Sequence, residues 1–241
     1  MNVKIDNIKL EYIKEGRGRD LVLLHGWGQN KEMMLPLLNN LKEDFCCYSF
    51  DLPGFGKSTE PDKAFSVYDY AAFLHKAFHK LGIEKPIIVG HSFGGKIALV
   101  MGAKYEVESL VLLASPAFAA KTSIKTKILK AFKKLPFMET IAEKAKKFIG
   151  STDYKNASGV MREILISTVN TDITEDLKEI KVPCIFIFGT RDEAVSLNDA
   201  YKMSNLVKDG ALIKLPEGTH YAYLEFLGQV VAIIKSIGEN K

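Results

Sequence analysis

The sequence is poor in residues that staple or anchor a chain. It has three cysteines in 241 residues, Cys46 and Cys47 adjacent and Cys184 far away, and none sits at a metal-ligand spacing. That excludes a disulfide framework and a zinc module, and leaves thiols buried in a reducing cytoplasm as the expectation. No apolar run approaches the ~18 residues of a membrane span. The opening Met1 to Asn7 lacks the apolar core and small-residue cleavage pattern of an export signal. A cytoplasmic chain without a transmembrane segment is therefore expected. Basic residues are not interleaved with aromatics, so nucleic acid is not an expected partner. Internal repeats and low-complexity segments are also missing. Acidic residues are scarce in one stretch: residues 121–147 hold nine lysines (121, 125, 127, 130, 133, 134, 144, 146, 147) against Glu139 and Glu143, in a chain of net charge +4.

What is present suits one α/β domain with an insertion, since 47% of the residues are hydrophobic. Val3 to Ile5 and Ile8 to Ile13 alternate around Asp6-Asn7 as an edge hairpin. Leu21 to Leu24, Phe45 to Phe50, Ile87 to Val89, Leu110 to Leu113, Cys184 to Phe188 and Ala211 to Leu215 read as buried strands. Between them come helix-period stretches: Met34 to Leu41, Val67 to Leu81 with Gly82 as the stop, a helix after Ser92, Leu197 to Leu206, and Ala222 to Ile237. The alternation predicts a mostly parallel central sheet with helices on both faces. From Thr122 to about Asp176 only helical periodicity appears. The expected division is a core of residues 1–116 and 177–241, and a helical cap of residues 117–176 over the carboxyl edge of the sheet.

The chemistry centres on Gly90-His91-Ser92-Phe93-Gly94. A β-branched strand breaks there and a helix resumes by Ile97, so Ser92 sits on a tight strand-to-helix turn. The flanking glycines make room where strand and helix crowd together. A serine hydroxyl is a poor nucleophile and needs a base, which in turn needs an orienting acid. Of five histidines, His75 and His79 flank an apolar helix stripe, His91 lies inside the turn and points away from Ser92, and His25 opens a glycine-rich loop with a structural role expected. His220 follows the last strand, at the sheet edge where Ser92 also lies. Asp192 and its neighbour Glu193 follow another strand at that edge. The Phe93 N–H, directly after the nucleophile, is one donor for an oxyanion.

These motifs resemble the α/β-hydrolase superfamily, whose chain order of nucleophile, acid and base matches Ser92, Asp192 and His220. The resemblance implies an α/β-hydrolase fold and selects Asp192 over Glu193. It assigns the second oxyanion donor to the Trp27 N–H in His25-Gly26-Trp27-Gly28, with the indole lining the pocket. It also matches Asp51-Leu52-Pro53-Gly54-Phe55-Gly56, taken as structural. A serine at the turn disfavours the epoxide hydrolase and dehalogenase branches. The two loops look most like small bacterial serine carboxylesterases, the group that includes pimeloyl-carrier-protein methyl ester esterases. Such chemistry implies neither cofactor nor metal.

The expected substrate is a small to medium acyl or aromatic ester or a thioester. The expected pocket residues are His25, Phe132, Met138, Ile141, Arg162 and Tyr221, within an apolar inner face that also includes Ile128 and Phe148. The lysine-rich cap suits an acidic carrier protein or another anionic partner. Two alternatives share the scaffold. One is a carbon–carbon bond hydrolase of ring-cleavage dienoates, in which Arg162 would hold a carboxylate. The other is a hydrolase-fold ligand receptor.

Overall fold

A short apolar strand buried on both faces must be covered on both sides, and the computed structural model, which describes residues 1–119 and 159–239, is built that way. Eight strands form one sheet: β1 (Asn2–Ile5), β2 (Ile8–Glu15), β3 (Arg19–Leu24), β4 (Phe45–Phe50), β5 (Ile87–His91), β6 (Ser109–Leu113), β7 (Cys184–Gly189) and β8 (Gly210–Leu215). Their spatial order is β1-β2-β4-β3-β5-β6-β7-β8. The hairpin of β1 and β2 joins antiparallel to β4, and every pairing from β4 through β8 is parallel. This puts β5, which carries the serine turn, near the middle of the sheet.

Helices α1 (Leu35–Leu41), α2 (Val67–Leu81) and α3 (Phe93–Lys104) precede residue 120. After residue 158 come α4 (Gly159–Asn170), α5 (Thr174–Glu179), α6 (Leu197–Leu206), α7 (Ala222–Glu225) and α8 (Leu227–Glu239). One sheet face packs on α2, α3 and α6, the other on α1 and α8. Helix α2 has the limits its periodicity predicts: Ser66 and Asp69 form a capping box, and Gly82 ends it at φ +71°.

Two expectations need correction. The single helix read over Ala222 to Ile237 is two helices, because the Glu225 carboxylate folds back to accept from the Thr219 N–H (2.8 Å) and hydroxyl, and the chain breaks at Phe226. Met34 to Leu41 is a 3-10 turn, Lys31–Met34, running into α1. α5 packs on α3 and crosses the expected 176/177 boundary. Its buried Asp176 accepts from the Tyr68 hydroxyl of α2 (2.7 Å) and pairs with Lys104 of α3 (2.8 Å). The segments on either side of residues 120–158 lie side by side, with the Ile173 N–H donating to Ala117 O (3.1 Å) and the Ala119 N–H to Asp172 (3.3 Å). Ile128, Phe132, Met138, Ile141, Phe148 and all nine lysines of residues 121–147 lie outside the described residues.

Candidate active site

Ser92 follows β5 directly and has φ +49°, a conformation unfavourable for any side chain but glycine and one that local packing has to enforce. Two main-chain bonds fix it: its N–H donates to Leu113 O (2.9 Å), and its carbonyl accepts from the Lys96 N–H (3.0 Å). The glycines around it are steric necessities. A Cβ on Gly90 would lie 2.5 Å from the Cα of Gly95, and one on Gly94 would lie 2.5 Å from Leu24 O. That closeness lets the Gly94 N–H reach His25 O (3.1 Å), which ties the start of α3 to the His25–Gly28 loop.

His220 and Asp192 arrive from two other strand ends. His220 Nδ1 lies 2.9 Å from Asp192 Oδ2, and the Asp192 side chain is fully buried. Its other oxygen accepts the N–H groups of Ala194 (2.8 Å) and Val195 (3.0 Å), so the carboxylate is held from three directions. Glu193 is exposed. The two loops are joined along their backbones: the Thr190 N–H donates to Leu215 O (3.0 Å) and the Arg191 N–H to Gly218 O (2.8 Å). Only a glycine allows this approach at position 189, where a Cβ would lie 2.5 Å from Thr219 O and closer still to the Gly218 carbonyl.

His91 joins the serine turn to the base loop. It is buried, its Nε2 lies 3.0 Å from His220 O, and its ring centre is 5.0 Å from that of His220. A carbonyl can only accept, so Nε2 carries the proton. Burial holds the ring's pKa well below the usual histidine value. Gln29, which has no signal in the local sequence, packs beside His91. Its Oε1 accepts from the Gly26 N–H (2.9 Å) and faces His91 Nδ1 (3.3 Å), and its amide reaches the Tyr221 hydroxyl (3.5 Å). Tyr221 packs edge-on against His220 at 5.7 Å. A contact between positions 29 and 221 leaves no trace in local spacing.

The glycine-rich loop and the Asp51 turn form the opposite wall. Trp27, Phe55 and Phe93 pack together with ring centres 4.9 to 6.1 Å apart, and Tyr70 meets Phe93 at 5.1 Å. Among the described residues, neither the Trp27 nor the Phe93 N–H has a main-chain acceptor. The indole is nearly buried within this cluster. His25, one of the expected pocket residues, is fully buried instead. Its Nε2 accepts from the Leu52 N–H (3.0 Å) and its Nδ1 faces Gly26 O (2.7 Å), so both nitrogens are committed to loop structure. Burial brings its pKa down to about 4 despite the Gly26 bond. Asp51, also fully buried, accepts from the Lys31 N–H and ammonium (2.7 Å each) and from the Lys57 N–H (2.9 Å). Burial works against the Lys31 charge, but the Asp51 pairing outweighs it and leaves that pKa raised. Arg162 is exposed on α4, while Met161, Ile164 and Leu165 of that helix face inward. Among the described residues there is no group of three or more His, Cys, Asp or Glu able to hold a metal, and no helix long and apolar enough to cross a membrane.

The chain is 25% identical over 254 residues to the AB hydrolase superfamily protein YisY of Bacillus subtilis, covering 93% of each. It is 28% identical over 237 residues to a pimeloyl-[acyl-carrier protein] methyl ester esterase of Vibrio cholerae, covering 87% of this chain and 90% of that one. Its fold matches the crystal structure of a membrane phospholipase A, a bacterial virulence factor, with a TM-score of 0.85 at 20% identity, over 99% of this chain and 85% of that one. The sequence model of the alpha/beta hydrolase fold matches residues 21–147, more than half of the chain. A strained serine between a parallel strand and a helix is what that family presents, and this chain belongs to the α/β hydrolases.

Proposed function

We propose that the protein cleaves a carboxylic ester or thioester through an acyl-enzyme on Ser92. The observation that carries this reading is the His220 Nδ1–Asp192 bond of 2.9 Å, on loops tied through His91 to the serine turn. Similarity to an esterase over most of the chain supports it. Asp192 accepts a hydrogen bond from the His220 Nδ1–H, which fixes the tautomer and leaves Nε2 free as the base. Ser92 Oγ attacks the acyl carbon as its proton passes to Nε2. The carbonyl π electrons move to oxygen, where the N–H groups of Trp27 and Phe93 stabilise the negative charge at the N-terminal end of α3. Collapse expels the alcohol or thiol with the proton from His220. Water then repeats the sequence and releases the acid.

The cap is proposed as residues 117–176, with the bond from the Ile173 N–H to Ala117 O bringing its two ends close together. Its lysine-rich stretch suits an anionic partner such as an acidic carrier protein, and an esterase of an acyl-carrier protein among its relatives fits that choice. Hydrolysis of p-nitrophenyl esters from acetate to decanoate, compared with Ser92→Ala, tests the reaction. Ser92-dependent turnover with a burst of one p-nitrophenol per chain is expected. Turnover that survives Ser92→Ala, or a folded protein inert towards every ester, would overturn the reading.

A further inference from the structure

Lys96 lies on α3, one turn beyond Ser92, and is 1% exposed, yet among the described residues none of its hydrogen bonds goes to a carboxylate. Its ammonium donates instead to two main-chain carbonyls, Thr168 O (2.9 Å) and Thr171 O (2.5 Å). These are in the last turn of α4 and just past its end, where helix carbonyls have no intrahelical partner and the dipole is negative. Burial pulls the Lys96 pKa down to about 8, with Asp172 opposing the shift. An apolar residue would fill the same space within α3 without that penalty, so the ammonium makes sense only through what it holds.

What it holds is one end of α4. Near the other end, Met161 lies so close to Gly54 that a Cβ there would fall 2.8 Å from the Met161 methyl group. Gly54 precedes Phe55, whose ring packs on Trp27 and Phe93. Helix α4 therefore spans from the aromatic wall of the proposed oxyanion site to the nucleophile helix. We propose that Lys96 is a positioning residue: by clamping the end of α4 onto α3 it fixes the wall against which the longer acyl chains of the substrate lie. This rests on the esterase reading above.

The test compares the full-length protein with Lys96→Met, which suits a buried site, and with Lys96→Arg, which keeps two donors. The readouts are kcat and KM for p-nitrophenyl acetate and octanoate, melting temperature, and hydrogen exchange of the peptide covering residues 159–173. Loss of about 1.4 kcal/mol from the clamp corresponds to a tenfold effect. For Lys96→Met, KM for octanoate should rise about tenfold while kcat changes less than threefold, a loss of ground-state binding. Exchange at residues 165–173 should quicken, and Lys96→Arg should restore part of both. Unchanged octanoate KM and unchanged exchange would overturn the proposal. So would an equal loss with both esters accompanied by a lower melting temperature, which would make Lys96 a strut of the fold only. If the parent protein hydrolyses no ester, the esterase reading fails and the specificity role fails with it, while exchange still decides whether Lys96 clamps α4.

Discussion

Gly189→Ala tests the assembly of the site without touching any reacting group. Gly189 closes β7 opposite Leu215, and its Cα faces the Gly218–Thr219 backbone that leads into His220. A methyl group there would sit 2.5 Å from Thr219 O, whereas ordinary contact begins at 3.4 Å. Because the obstacle is backbone, no side chain can swing away, and the base loop must retreat by about 1 Å. An error of that size in a catalytic group costs on the order of 100-fold in rate. The 2.9 Å bond between His220 and Asp192 would stretch past hydrogen-bond range. Overpacking should cost about 1–3 kcal/mol, and for a domain of this size each kcal/mol lowers the melting temperature by roughly 2–4 °C. At 25 °C the variant should stay folded, with kcat for p-nitrophenyl acetate reduced about 100-fold. Gly159→Ala is the control, since a Cβ at position 159 meets nothing within 4 Å among the described residues. A Gly189→Ala protein that melts normally and keeps activity within threefold of the parent would refute the idea that these two loops are set by backbone contact.

Asp192→Asn should leave the fold intact, since an amide oxygen can still accept from Ala194 and Val195, but its NH2 would face His220 Nδ1 and impose the wrong tautomer; kcat should fall on the order of 10³–10⁴-fold in steady-state assays. Lys31→Met leaves the fully buried Asp51 carboxylate without its counter-charge, and urea unfolding should show a loss of about 3–5 kcal/mol. His25 has its pKa lowered from 6.5 to about 4, so the unfolded chain binds the extra proton first as pH falls. Its contribution, roughly 3 kcal/mol, is complete above pH 6.5 and is lost between pH 6.5 and 4. Denaturant midpoints measured across that window should fall, and His25→Asn should flatten the slope.

The limits of α2, the span of β4 and the place of the serine turn were legible in the sequence because each is set by neighbours within a few residues. A capping Ser66, a terminating Gly82, an unbroken apolar run and glycines at positions 90 and 94 act locally, and local sterics leave the chain few alternatives. Strand order was not legible, because nothing in β2 indicates that it pairs with β4 rather than β3. For His25 the sequence supports both a structural role in the loop and a place on the pocket wall, and only the fold shows its two nitrogens committed to Leu52 and Gly26. Gln29 went unnoticed because its partners, Gly26 apart, are His91 and Tyr221, 62 and 192 residues away. Lys96 carries no local signal of its role, because the carbonyls it meets, Thr168 and Thr171, lie more than 70 residues further along the chain. The sequence by itself determined which elements form and which residue types stand at their ends, since those follow from backbone sterics and the period of apolar burial. Only the tertiary structure decided which of those residues meet, because contact across a hundred residues depends on how strands stack and loops close, and that leaves no periodic mark along the chain.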